Sequence, residues 1–317
     1  MKRRQAVIHW LHHVLSLCDM KRFALQIMRE EDSMTLPQVV TVQNMRDSDA
    51  HTIASGITSA ELMYRAALGI YNTVRFTGKI AIVCGAGNNG GDGYALACIL
   101  LDNGITPTIF RATQKFSKDG LFYYQTAMDK GAEEGSLRVP APFTGYDIVV
   151  DCLLGTGFTG EVRGDMQAAV ELINACPAYI ISADINSGIN GDTGEAQIAV
   201  NSDLTVSIGA YKTGMFLGDA PYFIGGLKNV DIGIELLRTE YHLMDWEQLH
   251  FFEGYNAVVM TAEEFTARFA AGDSSFDAAD RAARLSNELG KIVVVKTGHS
   301  AIVADMQYLY FCADYVL

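Results

Sequence analysis

Short, almost wholly apolar runs alternate with stretches of helical periodicity through the middle of this chain. Apolar runs bounded by turn residues are typical of strands that are buried on both faces of a sheet. The runs fall at residues 79–85, 106–111, 146–151, 179–184, 204–208 and 227–234. Between them the pattern predicts helices over about 91–103, 117–130 and 166–176, and another helical pattern begins at residue 50. This alternation predicts an α/β fold, a Rossmann-like three-layer doubly wound parallel sheet.

The two ends of the chain differ from this central pattern. Residues 1–37 carry apolar positions at helical spacing and predict a helical N-terminal extension. The extension opens with basic residues as a signal peptide does, but His12 and His13 interrupt its apolar stretch and no small-residue cleavage site follows. Residues 239–317 contain two further apolar runs and predict a small α/β C-terminal appendage. Because the N-terminal extension lacks the uninterrupted apolar stretch and cleavage site of a signal peptide, the chain is expected to be cytoplasmic.

Charge and cysteine usage exclude several classes of function. The formal net charge is −13, and such an acidic surface repels nucleic-acid backbones and anionic membranes. No apolar run is long enough to span a bilayer. The six cysteines include no C-x-x-C pair, which disfavours a zinc cluster or a disulfide framework and is typical of a reducing compartment. We expect no nucleic-acid partner and no membrane partner.

A glycine-rich loop, Gly85-Ala-Gly-Asn-Asn-Gly-Gly-Asp-Gly93, separates the first strand from the next helix. Glycines let backbone amides approach a ligand, and the start of a helix favours an anion. A plain turn would need fewer glycines, so the loop predicts a binding site for a phosphate-bearing ligand. A second loop with three glycines and two hydroxyls, residues 151–160, follows another strand and could enclose a phosphate or a ribose.

Two aspartates, Asp151 and Asp184, end apolar strands and are expected at the same edge of the sheet. Ligands of doubly wound sheets bind at that edge. A carboxylate there can hold a cation, act as a general acid or base, or cap the next helix. One such residue alone is more often a cap, whereas two beside glycine-rich turns favour a site.

The second strand lacks the acidic residue that binds ribose in hydride-transferring NAD dehydrogenases. It ends Phe110-Arg111-Ala112, so that class of enzyme is disfavoured, although Arg111 could accommodate a 2′-phosphate.

Several motifs, in order, resemble the NAD(P)H-hydrate epimerases, the N-terminal domain of the enzymes that repair hydrated nicotinamide cofactors. The resemblance covers residues 38–238 and leaves 239–317 outside it. The run Asn88-Asn-Gly-Gly-Asp-Gly93 is its most specific motif. The others are Thr41–Arg46, Leu62–Ala66, Asp151–Gly157, Asp184–Gly188, Gly209–Gly214 and Val230–Gly233.

The resemblance implies roles for individual residues. Asn89, Asp151 and Ser187 would contribute oxygens to a potassium ion, while Asp184 would face the substrate as an acid or base. Lys212 matches a family lysine near the same edge and is assigned to the catalytic group with it. The substrate-binding residues would be Asn88, Asn89, Gly90, Gly91, Asp92, Gly155, Thr156, Gly157, Phe158, Thr159, Gly160, Glu161 and Asp184.

The implied activity is interconversion of the R and S forms of hydrated NADH and NADPH. The implied partners are those substrates, a separate dehydratase acting downstream, and a second copy of the chain in a homodimer. Two alternatives stay open: a nonenzymatic nucleotide-binding scaffold of the same fold, and a bifunctional epimerase/dehydratase.

The sequence departs from the family pattern at three positions and at its C-terminal end. Asn186 stands where the family usually has proline, Tyr64 where it has glutamate, and Ala67 where it has glycine. Residues 239–317 faintly resemble the ribokinase-like dehydratase that is fused to many relatives, but they contain no matching glycine-rich anion hole. This segment is therefore expected to be a truncated, noncatalytic remnant.

Overall fold

The fold was analysed in a computed structural model that describes residues 36–246, 249, 257–268, 278–306 and 308–317. The helix predicted for the N-terminal extension lies outside these residues. Within the described residues, no helix is both long enough and apolar enough to span a membrane.

A seven-stranded parallel sheet forms the centre of the molecule, in the spatial order β4-β3-β2-β5-β6-β7-β9. This confirms the predicted Rossmann-like α/β sheet. Its strands are β2 (Ile80–Cys84), β3 (Thr108–Arg111), β4 (Glu133–Gly135), β5 (Ile148–Cys152), β6 (Tyr179–Ala183), β7 (Leu204–Ile208) and β9 (Leu227–Val230). The strand order reverses between β2 and β5, which is where such sheets bind their ligands.

Both faces of this sheet are covered, which explains why its strands are apolar at nearly every position. On β2, Ile80, Ile82 and Cys84 join one core, and Ala81 and Val83 join the other. The helices on the first face are α2 (Ser59–Thr73), α3 (Asn88–Asp102) and α4 (Lys118–Asp129); helix α5 (Asp165–Asn174) covers the second face.

The helical pattern expected from residue 50 is two helices in the structure. Helix α1 (Val42–Ala54) ends before Gly56, whose φ of 115° is a left-handed conformation that glycine adopts without strain. Helix α2 begins after Thr58, whose side chain accepts a hydrogen bond from the Glu61 amide as an N-cap. Ile57 therefore lies in the connection, and α1 starts earlier than its apolar pattern indicated.

A second sheet joins the C-terminal segment to the rest of the chain, in the order β11-β12-β13-β14-β10-β1-β8. Two of its strands, β1 (Gln38–Val40) and β8 (Tyr211–Lys212), come from the segment before residue 239. The others are β10 (Tyr241–Leu243), β11 (Ala257–Thr261), β12 (Ile292–Lys296), β13 (Ser300–Ala304) and β14 (Leu309–Ala313), with helices α6 (Ala262–Arg268) and α7 (Ala278–Leu289).

The described cysteines have the buried, unpaired character that the sequence indicated. Cys84, Cys98, Cys152 and Cys312 are buried, Cys176 is partly buried, and none of these five forms a disulfide.

Candidate functional site

A pocket of about 630 Å³ opens at the carboxyl ends of β2, β5 and β6, beside the point where the strand order reverses. Its walls come from α1, α2, the start of α3, the loop after β5, the residue after β6, and β8. Nine residues from the predicted site line it: Asn88, Asn89, Asp92, Gly155, Thr156, Gly157, Phe158, Asp184 and Lys212.

The other predicted site residues lie around this pocket without lining it. Gly90 and Gly91 are buried behind it in the first turn of α3. Thr159, Gly160 and Glu161 lie farther along the loop after β5; the exposed Glu161 side chain accepts hydrogen bonds from Arg163 and Gln197. Asp151 and Ser187 are fully buried beneath the loop. The roles assigned to these residues stay predictions.

The glycines of the first loop allow it to fold tightly at the start of α3. A side chain at Gly85 would place a Cβ 1.9 Å from the Leu153 carbonyl oxygen, and one at Gly90 would place it 2.2 Å from the Gly85 oxygen. Gly87, in contrast, faces open space at the pocket and caps α3 without a side-chain hydrogen bond. The first backbone N–H groups of α3 therefore remain available to an anion.

Asp184 and Lys212 form a buried ion pair on the floor of the pocket. The Lys212 Nζ lies 2.5 Å from Asp184 Oδ1, and the lysine side chain is 1% exposed. Nζ also donates to the Ile208 carbonyl oxygen at 2.8 Å and to Ser207 Oγ at 3.3 Å. All three ammonium hydrogens are thus used, which offsets much of the cost of burying the charge.

The backbone of Asp184 is held in an unusual conformation. Its φ is 66°, one of three positive values among non-glycine residues in the described part of the chain. Its N–H donates to the Val206 carbonyl oxygen at 2.8 Å, which fixes the turn directly after β6. Strained residues of this kind are frequent at functional sites because the surrounding structure must hold them in place.

Two further carboxylates, Asp49 on α1 and Asp92 on α3, line the pocket without a hydrogen-bond partner among the described residues. Burial, with the nearby Asp184 and Asp49 carboxylates, raises the pKa of Asp92 well above its usual range, and Lys212 opposes the rise. Burial also raises the pKa of Asp49. Sequence reasoning missed Asp49, because a polar residue on an amphipathic helix has no feature that distinguishes a pocket wall from a solvated surface.

Asp151 is sealed in a hydrogen-bonded cluster below the pocket. One carboxylate oxygen accepts from the Leu153 N–H at 3.1 Å and Ser187 Oγ at 2.5 Å. The other accepts from Ser182 Oγ and the Ser187 N–H, both at 2.9 Å. Burial raises the pKa of Asp151, and the hydrogen bonds from Ser187, Leu153 and Ser182 oppose that rise.

Asn89 connects the sealed cluster to the pocket. Its Nδ2 donates to the Leu154 carbonyl oxygen at 2.9 Å, and the same oxygen lies 3.2 Å from Ser187 Oγ. Its Oδ1 is buried and has no hydrogen-bond partner. A Cβ at Gly155 would lie 3.1 Å from Asn89 Cβ and 3.4 Å from Asp184 Oδ2, so both side chains approach the side of Gly155 that a Cβ would occupy.

Arg111 has no part in this pocket. Its guanidinium pairs with Glu134 at 2.6 Å and lies over the rings of Phe116 and Tyr124. It lines a separate cavity of about 470 Å³ near the ends of β3 and β4. Because its guanidinium is committed to Glu134 and it does not line the pocket, Arg111 is a poor candidate for a group that binds the same ligand.

Comparison with known proteins places these features in a family. The model of the YjeF-related protein N-terminus matches residues 59–214. The NAD(P)H-hydrate epimerase of Lentilactobacillus buchneri is 32% identical over 206 residues, which are 63% of this chain and 96% of that protein. The bifunctional NAD(P)H-hydrate repair enzyme Nnr of Coxiella burnetii is 32% identical over 217 residues, 65% of this chain and 44% of that protein.

The chain therefore spans less than half the length of this bifunctional relative, and 35% of the one from Dictyoglomus turgidum, which is 36% identical over 181 residues. Among solved structures, that of yeast ynu0, YNL200c, matches with a TM-score of 0.50 and 21% identity. The match covers 56% of this chain and 82% of the yeast chain. This likeness supports the fold of the central sheet.

Proposed function

The chain belongs to the NAD(P)H-hydrate epimerase family, and from that premise we propose that its pocket interconverts the R and S epimers of hydrated NADH and NADPH. The observation that carries the proposal is the buried pair of Asp184 and Lys212 on the pocket floor. A scaffold that only binds a nucleotide has no need to bury a carboxylate and an ammonium beside a strained turn.

The proposed reaction breaks and remakes one carbon–oxygen bond. The hydroxyl on ring carbon 6 leaves as water after gaining a proton, while the ring-nitrogen lone pair forms a C=N bond and a positive charge. Water then adds to the opposite face of the ring and gives up a proton. The net change is inversion at that carbon, with no net gain or loss of protons.

The charges around the pocket support a positively charged intermediate. Apart from Asp92, its lining includes three acidic side chains, Asp49, Asp119 and Asp184, against two basic ones, Arg46 and Lys212. Fixed negative charge that faces a developing cation stabilises it more strongly in a partly buried pocket than in water. The Asp184 carboxylate, paired with Lys212 on the pocket floor, can accept the proton of the attacking water.

Asp92 is the second proton-carrying group available to this mechanism. Its raised pKa favours the protonated carboxyl, which can give a proton to the departing hydroxyl. Asp92 as the acid and Asp184 as the base would give the site one group for each of the two proton transfers.

We further propose that a potassium ion assists binding. The observation that fits such an ion is Asn89 Oδ1, a buried oxygen without a hydrogen-bond partner next to the loop that covers Asp151. Asn89, Asp151 and Ser187 would hold the ion, since hard cations prefer oxygen ligands. Its positive charge would offset the buried carboxylate and attract the negatively charged substrate.

The epimerase assay starts from the single epimer of NADPH hydrate that a stereospecific dehydratase cannot use, with that dehydratase supplied. Recovery of NADPH absorbance well above the spontaneous rate is expected with the wild-type chain. Asp184→Asn should lower the rate by about 100- to 10,000-fold, the range for loss of a general acid or base. The matched control is Asp102→Asn, at the exposed end of α3, which removes only a surface ion pair with Lys130.

Recovery at the spontaneous rate with the wild-type chain, while nucleotide binding remains measurable, would instead support a scaffold. An unchanged rate in Asp184→Asn would remove that residue from the mechanism. For the ion, thermal unfolding is compared in potassium and tetramethylammonium salts. We expect potassium to raise the midpoint in the wild-type chain and to have no effect in Asn89→Ala; equal responses would remove the ion from the proposal.

A cytoplasmic location, a homodimer and a separate dehydratase acting downstream stay predictions of the sequence.

A further inference from the structure

The proposed substrates create a charge problem that the pocket must solve. A dinucleotide carries a pyrophosphate with two negative charges, whereas acidic side chains outnumber basic ones around the pocket. Lys212 cannot serve the phosphates, because its three N–H groups already contact Asp184, Ser207 and Ile208 and it is 1% exposed. Another cation is needed.

Arg46 is the other basic residue in the lining, and it is uncommitted. It projects from α1, is exposed, and makes one long contact, from Nη2 to the Gly157 carbonyl oxygen at 3.5 Å. No carboxylate pairs with it among the described residues. A guanidinium presents several N–H donors in a plane that matches phosphate oxygens, so most of its capacity is free.

Its position suits a ligand that lies between two walls. Arg46 stands over the loop after β5, which includes Gly157, and the free backbone N–H groups at the start of α3 line the same pocket beyond Gly87. A Cβ at Gly157 would lie 3.7 Å from Arg46 Nη2, so the missing side chain leaves the guanidinium room to move.

Neighbouring arginines do not fill this role. Arg163 is paired with Glu161 and is absent from the pocket lining. Arg111 is paired with Glu134 and lines the separate cavity.

We propose that Arg46 binds the pyrophosphate of the dinucleotide, clamping it against the start of α3, and so selects dinucleotide over phosphate-free substrates. This inference rests on the proposed function for its substrate, but the binding step can be measured without turnover. Arg46 then acts on affinity, while Asp184 and Asp92 act on the reacting ring.

The test compares wild type with Arg46→Gln, using ADP-ribose as a probe that has the pyrophosphate but lacks nicotinamide. Calorimetric titration should show a Kd about tenfold to a hundredfold higher in the variant, as expected for one charge-assisted hydrogen-bonding group. The KM for NADH hydrate should rise by a similar factor, while kcat stays within about twofold. Added salt should raise the Kd of the wild-type chain for ADP-ribose, and it should raise the Kd of the variant by a smaller factor.

Two comparisons separate binding from structural effects. Arg238→Gln removes an arginine that pairs with Asp47 of α1 outside the pocket, and it should leave ADP-ribose binding unchanged. Hydrated nicotinamide riboside, which has no phosphate, should be used equally by wild type and Arg46→Gln.

The inference fails if Arg46→Gln binds ADP-ribose as wild type does, or if the variant loses kcat rather than affinity. An Arg46-dependent Kd for ADP-ribose in a chain that does not epimerise would support the clamp and overturn the proposed reaction. Epimerisation by wild type and Arg46→Gln alike, with equal Kd values for ADP-ribose, would support the proposed reaction and overturn the clamp.

Discussion

The carboxylates at one edge of the central sheet lie in two different environments, although their positions in the sequence are alike. Asp151 and Asp184 each follow a buried strand, yet Asp151 is sealed with four donors while Asp184 opens onto the pocket beside Asp49 and Asp92. The sealed carboxylate joins β5, β6 and the turn after β6. The carboxylates that face the pocket have free hydrogen-bonding capacity. This destabilises the fold, but a binding or catalytic site requires groups that are free to contact a ligand.

The largest expected effect on stability comes from removing the carboxylate of Asp151, the acceptor at the centre of the sealed cluster. Asp151→Ala leaves the Leu153 N–H, the Ser187 N–H and two hydroxyls without their acceptor in the interior. Unsatisfied buried donors cost about 1 to 3 kcal/mol each before relaxation, so we expect a loss of about 3 kcal/mol or more in the free energy of unfolding. Urea unfolding measures it.

Asp102→Ala is the control for this change, because Asp102 is an exposed residue in a surface ion pair and should cost about 0 to 1 kcal/mol. A loss below about 1 kcal/mol for Asp151→Ala would mean that the cluster relaxes easily, and the contrast between sealed and open carboxylates would not hold.

The next effect concerns the residue that precedes Ser187. Nδ2 of Asn186 lies 2.9 Å from three acceptors, Val200 O, Ser202 Oγ and Phe223 O, which share its two hydrogens, and its Oδ1 accepts from Thr205 Oγ1 at 2.5 Å. These bonds hold the turn on which Ser187 sits. Asn186→Pro introduces the residue usual in the family, but it should lower the free energy of unfolding by about 1 to 3 kcal/mol here.

Asn186→Leu serves as the comparison, since it keeps the number of side-chain heavy atoms and the branching at Cγ but removes the polar contacts. Similar losses in both variants would assign the effect to the amide, whereas an unchanged midpoint in Asn186→Pro would show that the turn does not depend on it. The measurement is again denaturant unfolding.

The central sheet was predictable because its physics is local. Runs that are apolar on both faces marked the strands to within two residues at most ends, as at Leu204–Ile208 and Ile80–Cys84. Strand β4, Glu133–Gly135, was missed because it is an exposed polar edge, a composition that protects edges from further pairing. Strands β1 and β8 are only three and two residues long. The central β1 pairs with β10 and with β8, and these pairings join residues about 200 and about 170 positions apart in the chain.

The location of the site could be predicted from the sequence, but the environment of each aspartate within it could not. The glycine loop and the aspartates after β5 and β6 indicated where a ligand binds, because the carboxyl ends of parallel strands share one edge. Which aspartate is sealed depends on Ser187, 36 positions from Asp151, and on the loop that folds over it. Asp49 enters the pocket only because α1 packs there, and no local pattern records that packing.

The smallest expected effect on stability concerns Asp49, one of the carboxylates that face the pocket. Burial raises the pKa of Asp49, which makes no hydrogen bond to the described residues, so its ionised form should destabilise the folded state at neutral pH. Asp49→Asn should therefore raise the free energy of unfolding by about 0.5 to 1 kcal/mol. The pKa of Asp49 is higher in the folded than in the unfolded chain, so the folded wild type binds the proton more readily as pH falls. The extra stability of the variant should therefore decrease as pH falls through the folded pKa and vanish below the unfolded pKa.

Asp47→Asn, two residues away on the same helix, removes a solvent-exposed pair with Arg238 and should change stability by no more than about 0.5 kcal/mol with no such trend. Denaturant unfolding of the three proteins across a pH series measures both. A variant that is less stable than wild type at neutral pH would show that Asp49 supports the fold rather than opposing it, and would move it to the sealed class with Asp151.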